Sequence, residues 1–255
     1  MNNWVLILGA SSGIGKECAI EFAKEGYNIY GIYLRKPKNH IEQLTDTIES
    51  HNVNVIFKKA NAANPDNREK IIEELKQKKI NVKALIHSLA FGALKPFINN
   101  NKTKQLNKKN IDMTLDVMSN SLIYWTQELF QNQILNQGSQ IISMTSAGNS
   151  KQWESYGAVS MAKAALESAT RQLAFELAPY KIACNCIQAG VTLTPALEKI
   201  PGYEKMVKNA KSNNPHQKLT RTKDISQIAV MIGNMNNYWM TGNTIKVDGG
   251  ESLTG

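Results

Sequence analysis

The sequence has no run of about 20 apolar residues, the length that crosses a bilayer as a helix. Its apolar N-terminal run, VLIL, is far too short for the core of a signal peptide. A soluble, cytoplasmic protein with no membrane partner is therefore expected. Cysteine is scarce: Cys18, Cys184 and Cys186 lie within an amphipathic helical pattern and an apolar strand pattern, which suits buried reduced thiols better than disulfides. A Cys-x-Cys pair also supplies too few ligands for zinc, so no metal is expected. Acidic residues are outnumbered, 21 Asp and Glu against 30 Lys and Arg, for a net charge of +9. The lysines are scattered through KQKK, NKTKQ and NKKN without interleaved aromatics, which argues against a nucleic-acid partner. A solvated basic surface is the plainer reading; docking of an acidic protein or anionic ligand is another.

What is present is a regular alternation. WVLIL, NIYGIYL, NVIFK, KALIHS, QIISM, IACNCI and NTIKV read as strands. Between them GIGKECAIEFAKEG, PDNREKIIEELKQ, a long pattern from about Asp112 to Gln133, a helix through Lys163 ending at Pro179, and a helix from about Asp224 to Asn234 read as crossovers. Such βαβ alternation predicts an α/β fold with a doubly wound parallel sheet covered by helices on both faces. No linker divides the chain, so one domain over residues 1–255 is expected. Two segments break the rhythm. Asn99 to Asn110 is polar and low in complexity, a surface loop or weak helix. Thr192 to Asn214 is too long for an ordinary connection and carries its own apolar positions, which predicts a helical lid.

LILGASSGIG places Gly9, Gly13 and Gly15 where the first strand turns into the first helix. Glycines there permit a tight turn and close approach of backbone to a pyrophosphate, and the helix N-terminus offers free N–H groups. After the second strand the chain reads Leu34-Arg35-Lys36, with no acid until Glu42. An acid would favour the ribose hydroxyls of NAD; bases suit a 2′-phosphate. NADPH is therefore predicted, with Arg35 or Lys36 on the phosphate. Further on, YGAVSMAK sets Tyr156 seven residues before Lys163. Offsets of three, four and seven bring residues to one helical face, so both side chains are expected at one cavity, with Tyr156 in the first turn or just before it.

These motifs are similar to those of the short-chain dehydrogenase/reductase superfamily. GASSGIG resembles its cofactor loop, SMTSAG its catalytic-serine strand, CIQAGVTLT its segment after the sixth strand, and MTGNTIKVDGG its C-terminal strand. The resemblance implies a Rossmann-like seven-stranded sheet and a homotetramer. It also implies cofactor contacts at Gly9, Ser11, Ser12, Gly13, Ile14 and Gly15, and at Asn61 and Ala62 near the adenine. Ser88, Ala90 and Gly190 would border the cofactor, Thr192 and Thr194 would face the carboxamide, and Lys163 would hold the nicotinamide ribose. Asn61 stands where an aspartate is usual, and Met118 where ketoreductases carry asparagine.

Ordinary ketoreductases of the superfamily would place the catalytic tyrosine at position 159, which is Val159 here. An aliphatic side chain cannot exchange a proton. Tyr156, with Lys163 and the stretch IHSLAFG, instead resembles bacterial enoyl-acyl-carrier-protein reductases, nearest their NADPH-using type III branch. In an enoyl thioester, hydride adds at C3 while charge develops on the oxygen attached to C1, so the acid must sit farther along the substrate. Moving the tyrosine by three positions does this on the same helical face. The expected catalytic residues are Tyr156, Lys163 and Ser146, the last either bonding substrate or capping a turn. The substrate would ride on an acidic acyl carrier protein. Alternatives are a reductase of carbonyls or enoyl-CoA in specialised metabolism, or a cofactor-binding protein without catalysis. His87 is expected to be packed or backbone-bonded, and Trp239 and Met240 to be core or interface residues.

Overall fold

The computed structural model describes residues 3–254. Seven parallel strands form one sheet in the order β3-β2-β1-β4-β5-β6-β7. They are β1 (Asn3–Leu8), β2 (Asn28–Tyr33), β3 (Val55–Lys59), β4 (Asn81–His87), β5 (Leu135–Ser146), β6 (Ala183–Ala189) and β7 (Thr244–Val247). Successive strand side chains point to opposite faces, and both faces here are apolar, as a sheet covered on both sides requires. On one face Leu6, Leu8, Leu85 and Ile141 pack with α3 (Pro65–Gln77), α5 (Ser121–Gln131) and α6 (Gly157–Leu177). On the other, Val5, Ile7, Ile86 and Ile142 pack with α1 (Gly13–Lys24), α2 (Lys38–Glu49) and α8 (Thr222–Gly233). No helix among the described residues is long and apolar enough to cross a membrane.

All seven expected strands are present. α2 is an addition: its sequence is mostly polar, and only Ile41, Leu44 and Ile48 turn inward, at helical spacing. The expected helix at 112–133 is three pieces, α4 (Lys108–Leu115), a π-helical turn (Asp116–Asn120) and α5. The polar segment before it holds a 3-10 turn at Lys102–Lys104. The expected lid contains a 3-10 turn, Leu197–Lys199, and α7 (Tyr203–Asn213). Trp239 is exposed rather than core, whereas Met240 packs against the α1/α8 face. All three cysteines are buried and unpaired.

β1 and β4 are hydrogen-bonded neighbours although two strands lie between them in sequence, so the winding reverses there. A crevice opens at such a point beyond the carboxyl ends of the strands, where open α/β sheets bind ligands.

Candidate active site

The glycine loop fills the near wall of that crevice. Gly9 has φ of +92°, and a Cβ on it would lie 2.5 Å from the Ser88 carbonyl oxygen. A Cβ on Gly15 would lie 2.3 Å from the Gly9 carbonyl oxygen. The loop therefore fits against the first turn of α1 and the end of β4 only without side chains. Ser12 precedes α1 in extended conformation and its side chain makes no capping bond, so early N–H groups of the helix remain available to an anion. This cradle is compatible with a dinucleotide pyrophosphate.

Beyond it lies a cavity of ≈ 470 Å³. Its walls come from Ile14 on α1; Ser88, Ala90 and Phe91 after β4; Met144 and Ser146 on β5; and Gly190, Thr192 and Thr194 after β6. Met118, Tyr156, Val159 and Lys163 complete the inner wall, and Leu197, Ile200 and Met206 of the lid segment close over it. Thr192 Oγ1 donates to the Gly190 carbonyl at 2.8 Å, and Thr194 Oγ1 accepts from the Leu197 N–H at 3.3 Å.

Tyr156 immediately precedes the first helical residue of α6, following Ser155 in left-handed conformation, φ +59°. Its ring lies on Gly148, where a Cβ would come within 2.4 Å of Tyr156 Cε1. Burial raises the phenol pKa, and the neighbouring Ser146 hydroxyl opposes the shift. Ser146 Oγ is itself buried with no partner meeting hydrogen-bond geometry, so its contact with the phenol leaves it free to turn toward a ligand. Lys163 is buried, and its Nζ donates to the Met144 carbonyl at 2.6 Å. Burial lowers its pKa to about 8. Val159 sits with Met118 and Ala162 in a separate apolar cluster against which Tyr156 packs.

Other expected residues lie apart from the cavity. Arg35 and Lys36 follow β2, and the Arg35 guanidinium lies over the Phe91 ring, 3.7 Å from its centroid. Asn61 is exposed, and its side-chain oxygen accepts from the Ala63 N–H at 3.1 Å, ordering the turn after β3. The Ala62 carbonyl accepts from the Trp125 indole at 2.8 Å. His87 is fully buried with Nε2 2.8 Å from Ser121 Oγ, and burial depresses its pKa to about 3. It is a packed histidine, as expected, with its Nε2 bonded to a side chain.

Sequence reading missed Phe91, Gly148 and the buried polar group of Thr145, Asn149 and Glu167. Only Glu167 left a signal, its position one turn after Lys163.

The doubly wound sheet, glycine loop and Tyr/Lys cavity define a nicotinamide-cofactor-binding fold of the short-chain dehydrogenase/reductase class. Residues 9–252 match the family described as Enoyl-(Acyl carrier protein) reductase, and the chain belongs to that family. Among its relatives is the NADH enoyl-[acyl-carrier-protein] reductase FabI of Enterococcus faecalis, 26% identical over 99% of this chain and 98% of that protein. The 3-oxoacyl-[acyl-carrier-protein] reductase FabG of Thermotoga maritima is 25% identical over 96% of each chain. The crystal structure of the NADH enoyl-[acyl-carrier-protein] reductase of Aquifex aeolicus superposes with a TM-score of 0.85 at 22% identity, covering 99% of this chain and 97% of that one.

Proposed function

We propose that the chain reduces the C2–C3 double bond of an enoyl thioester carried by acyl carrier protein, using NADPH, as a step of bacterial fatty acid synthesis. The observation that carries this reading is the exchange of roles along α6. Tyr156, Val159 and Lys163 all line the cavity, and of the first two only Tyr156 carries a proton to give, Val159 being aliphatic and packed with Met118 and Ala162. When bound, NADPH supplies the hydride. Tyr156 donates its hydroxyl proton toward the thioester oxygen, where negative charge collects, and so acts as an oxyanion donor. Its raised pKa keeps that proton in place at neutral pH. Lys163 holds the nicotinamide ribose and adds positive charge nearby. Ser146, with its unpartnered hydroxyl, is a second donor to substrate.

Arg35 and Lys36 are the groups offered to a 2′-phosphate, and the lack of an acid after β2 favours NADPH, although the FabI relatives carry NADH in their names. Lys205 and Lys208, exposed on the lid helix α7, suit an acidic carrier protein. Homotetramer assembly is part of the reading, supported by large apolar side chains exposed on α6, α8 and the approach to β7, including Phe175, Met231 and Trp239. Cytoplasmic residence accords with the three free buried cysteines.

The test is NADPH oxidation with an enoyl thioester, run beside an acetoacetyl thioester and an NADH control, for the wild type and Tyr156→Phe. Turnover confined to the enoyl substrate and lowered roughly 100-fold in the variant, within the range for losing one oxyanion donor, with NADPH binding preserved, is expected. Activity on the ketone alone would overturn the assignment, and no activity on either would favour a binding protein.

A further inference from the structure

The proposed chemistry uses Tyr156 and Lys163 and leaves a third buried ionisable group nearby unexplained. Glu167 follows Lys163 by one helical turn and is 9% exposed. Two hydrogen bonds converge on one oxygen: Oε1 accepts from Thr145 Oγ1 at 2.7 Å and from Asn149 Nδ2 at 2.7 Å. Both donors are neutral. A carboxylate held in a protein interior is costly unless its charge is answered.

The two bonds have different destinations. Thr145 belongs to the last turn-ward residues of β5, next to Ser146. Asn149 ends the 3-10 turn Ala147–Asn149, which contains Gly148, the residue under the Tyr156 ring. Ser160, one turn after Tyr156, donates from Oγ to the Gly148 carbonyl. Glu167 thus pins from one side the turn that Ser160 and Tyr156 pin from the other.

The charge has a destination too. After burial itself, the groups acting on Lys163 are Cys186 on β6 and then Glu167 one helical turn along α6, and Lys163 in turn acts on His87 of β4. Tyr156 and Cys186 are neutral near pH 7, because burial raises the phenol and pushes the Cys186 thiol up to about 11. His87 is neutral as well, since burial holds it near 3. That leaves Glu167, four residues after Lys163 on the same helical face, as the neighbour acting to raise the Lys163 pKa.

We propose that Glu167 is a positioning residue of this site, fixing the turn beneath Tyr156 and supplying the negative charge that keeps buried Lys163 protonated. The inference rests on the reductase reading for its kinetic consequence but not for its electrostatic one, and the test separates the two. Glu167→Gln retains an oxygen able to accept from Thr145 and Asn149 while removing the charge. Its kcat/KM should fall several-fold more at about pH 9 than at about pH 6, the alkaline limb moving down by about one pH unit, as expected when an opposite charge is lost nearby. Glu167→Ala, which also releases the turn, should lose activity at every pH, and Glu167→Asp should restore part of the alkaline limb. In parallel, the Lys163 signal is titrated by NMR in ligand-free protein carrying 13Cε-lysine, assigned through Lys163→Arg. The pKa of Lys163 should fall in Glu167→Gln by a similar amount. An unmoved Lys163 titration overturns the proposal whether or not the wild type turns over. Absence of wild-type turnover with a moved titration removes the reductase reading alone. If Glu167→Ala does not fold, Glu167→Gln carries both measurements.

Discussion

Tyr156 and Lys163 share a face because seven residues is close to two helical turns, yet what each experiences is set by other elements. A lysine on the exposed face of α6 would keep its ordinary pKa; buried beneath β5, Lys163 falls to about 8. His87 shows the same force acting in the same direction. Its folded pKa, about 3, lies below its ordinary value of 6.5, with burial the main cause and the Lys163 charge the second. Between those values the unfolded chain binds a proton that the folded chain refuses, so stability is full above pH 6.5 and is lost as pH falls toward 3. This one residue should account for about 2 kcal/mol of lost stability between pH 7 and pH 5. Urea denaturation at both pH values should show that loss in the wild type and a smaller one in His87→Gln, which keeps an N–H donor for Ser121. Equal losses in the two proteins would mean that other groups dominate the acid sensitivity.

At the scale of elements, the π-helical turn Asp116–Asn120 matters most to the cavity. π turns occur mainly as single bulges, often at functional sites, and this one carries Met118, 2% exposed, into the apolar cluster with Val159. Met118→Asn should cost about 2 kcal/mol in denaturant unfolding, because an amide would be buried there without a partner, while Met118→Leu should cost less. An asparagine tolerated without loss would mean that the turn offers it a backbone partner. The sequence pattern showed a continuous helix here because a π turn inserts no breaker residue; Asp112 to Gln133 stays periodic by eye. The strands, by contrast, were legible, since apolar runs bounded by polar crossovers have few other uses. α2 escaped because three apolar residues in twelve make a faint stripe. Within the site, Tyr156 and Lys163 were legible from spacing and Gly9 and Gly15 from position. The contact of Arg35 with Phe91 was not, because it joins the segments after β2 and β4, whose approach only the assembled sheet defines; nor were those of Glu167 with Thr145 and Asn149, which depend on how the turn between β5 and α6 folds back.

For the whole molecule, the net charge of +9 bears on the proposed carrier docking, which the exposed Lys205 and Lys208 of α7 can test. Replacing Lys205 and Lys208 together by alanine should raise KM for a carrier-linked enoyl substrate several-fold, with added salt narrowing the gap, and should leave KM for the CoA-linked substrate nearly the same. Equal effects on both would remove carrier docking from the account. The order of the strands carries a consequence of another kind. Phe22 on α1 is buried against α8, so closely that a Cβ on Gly233 would lie 2.5 Å from its ring. Roughly 200 residues separate the two helices in the chain. At synthesis rates of about 5–20 residues per second, the nascent chain waits on the order of 10–40 s before α8 emerges. Throughout that interval the outer face of α1 has no lasting cover. The covering of α1 therefore waits for α8, and a ribosome stalled short of α8 leaves a sticky, protease-sensitive intermediate rather than a smaller folded unit.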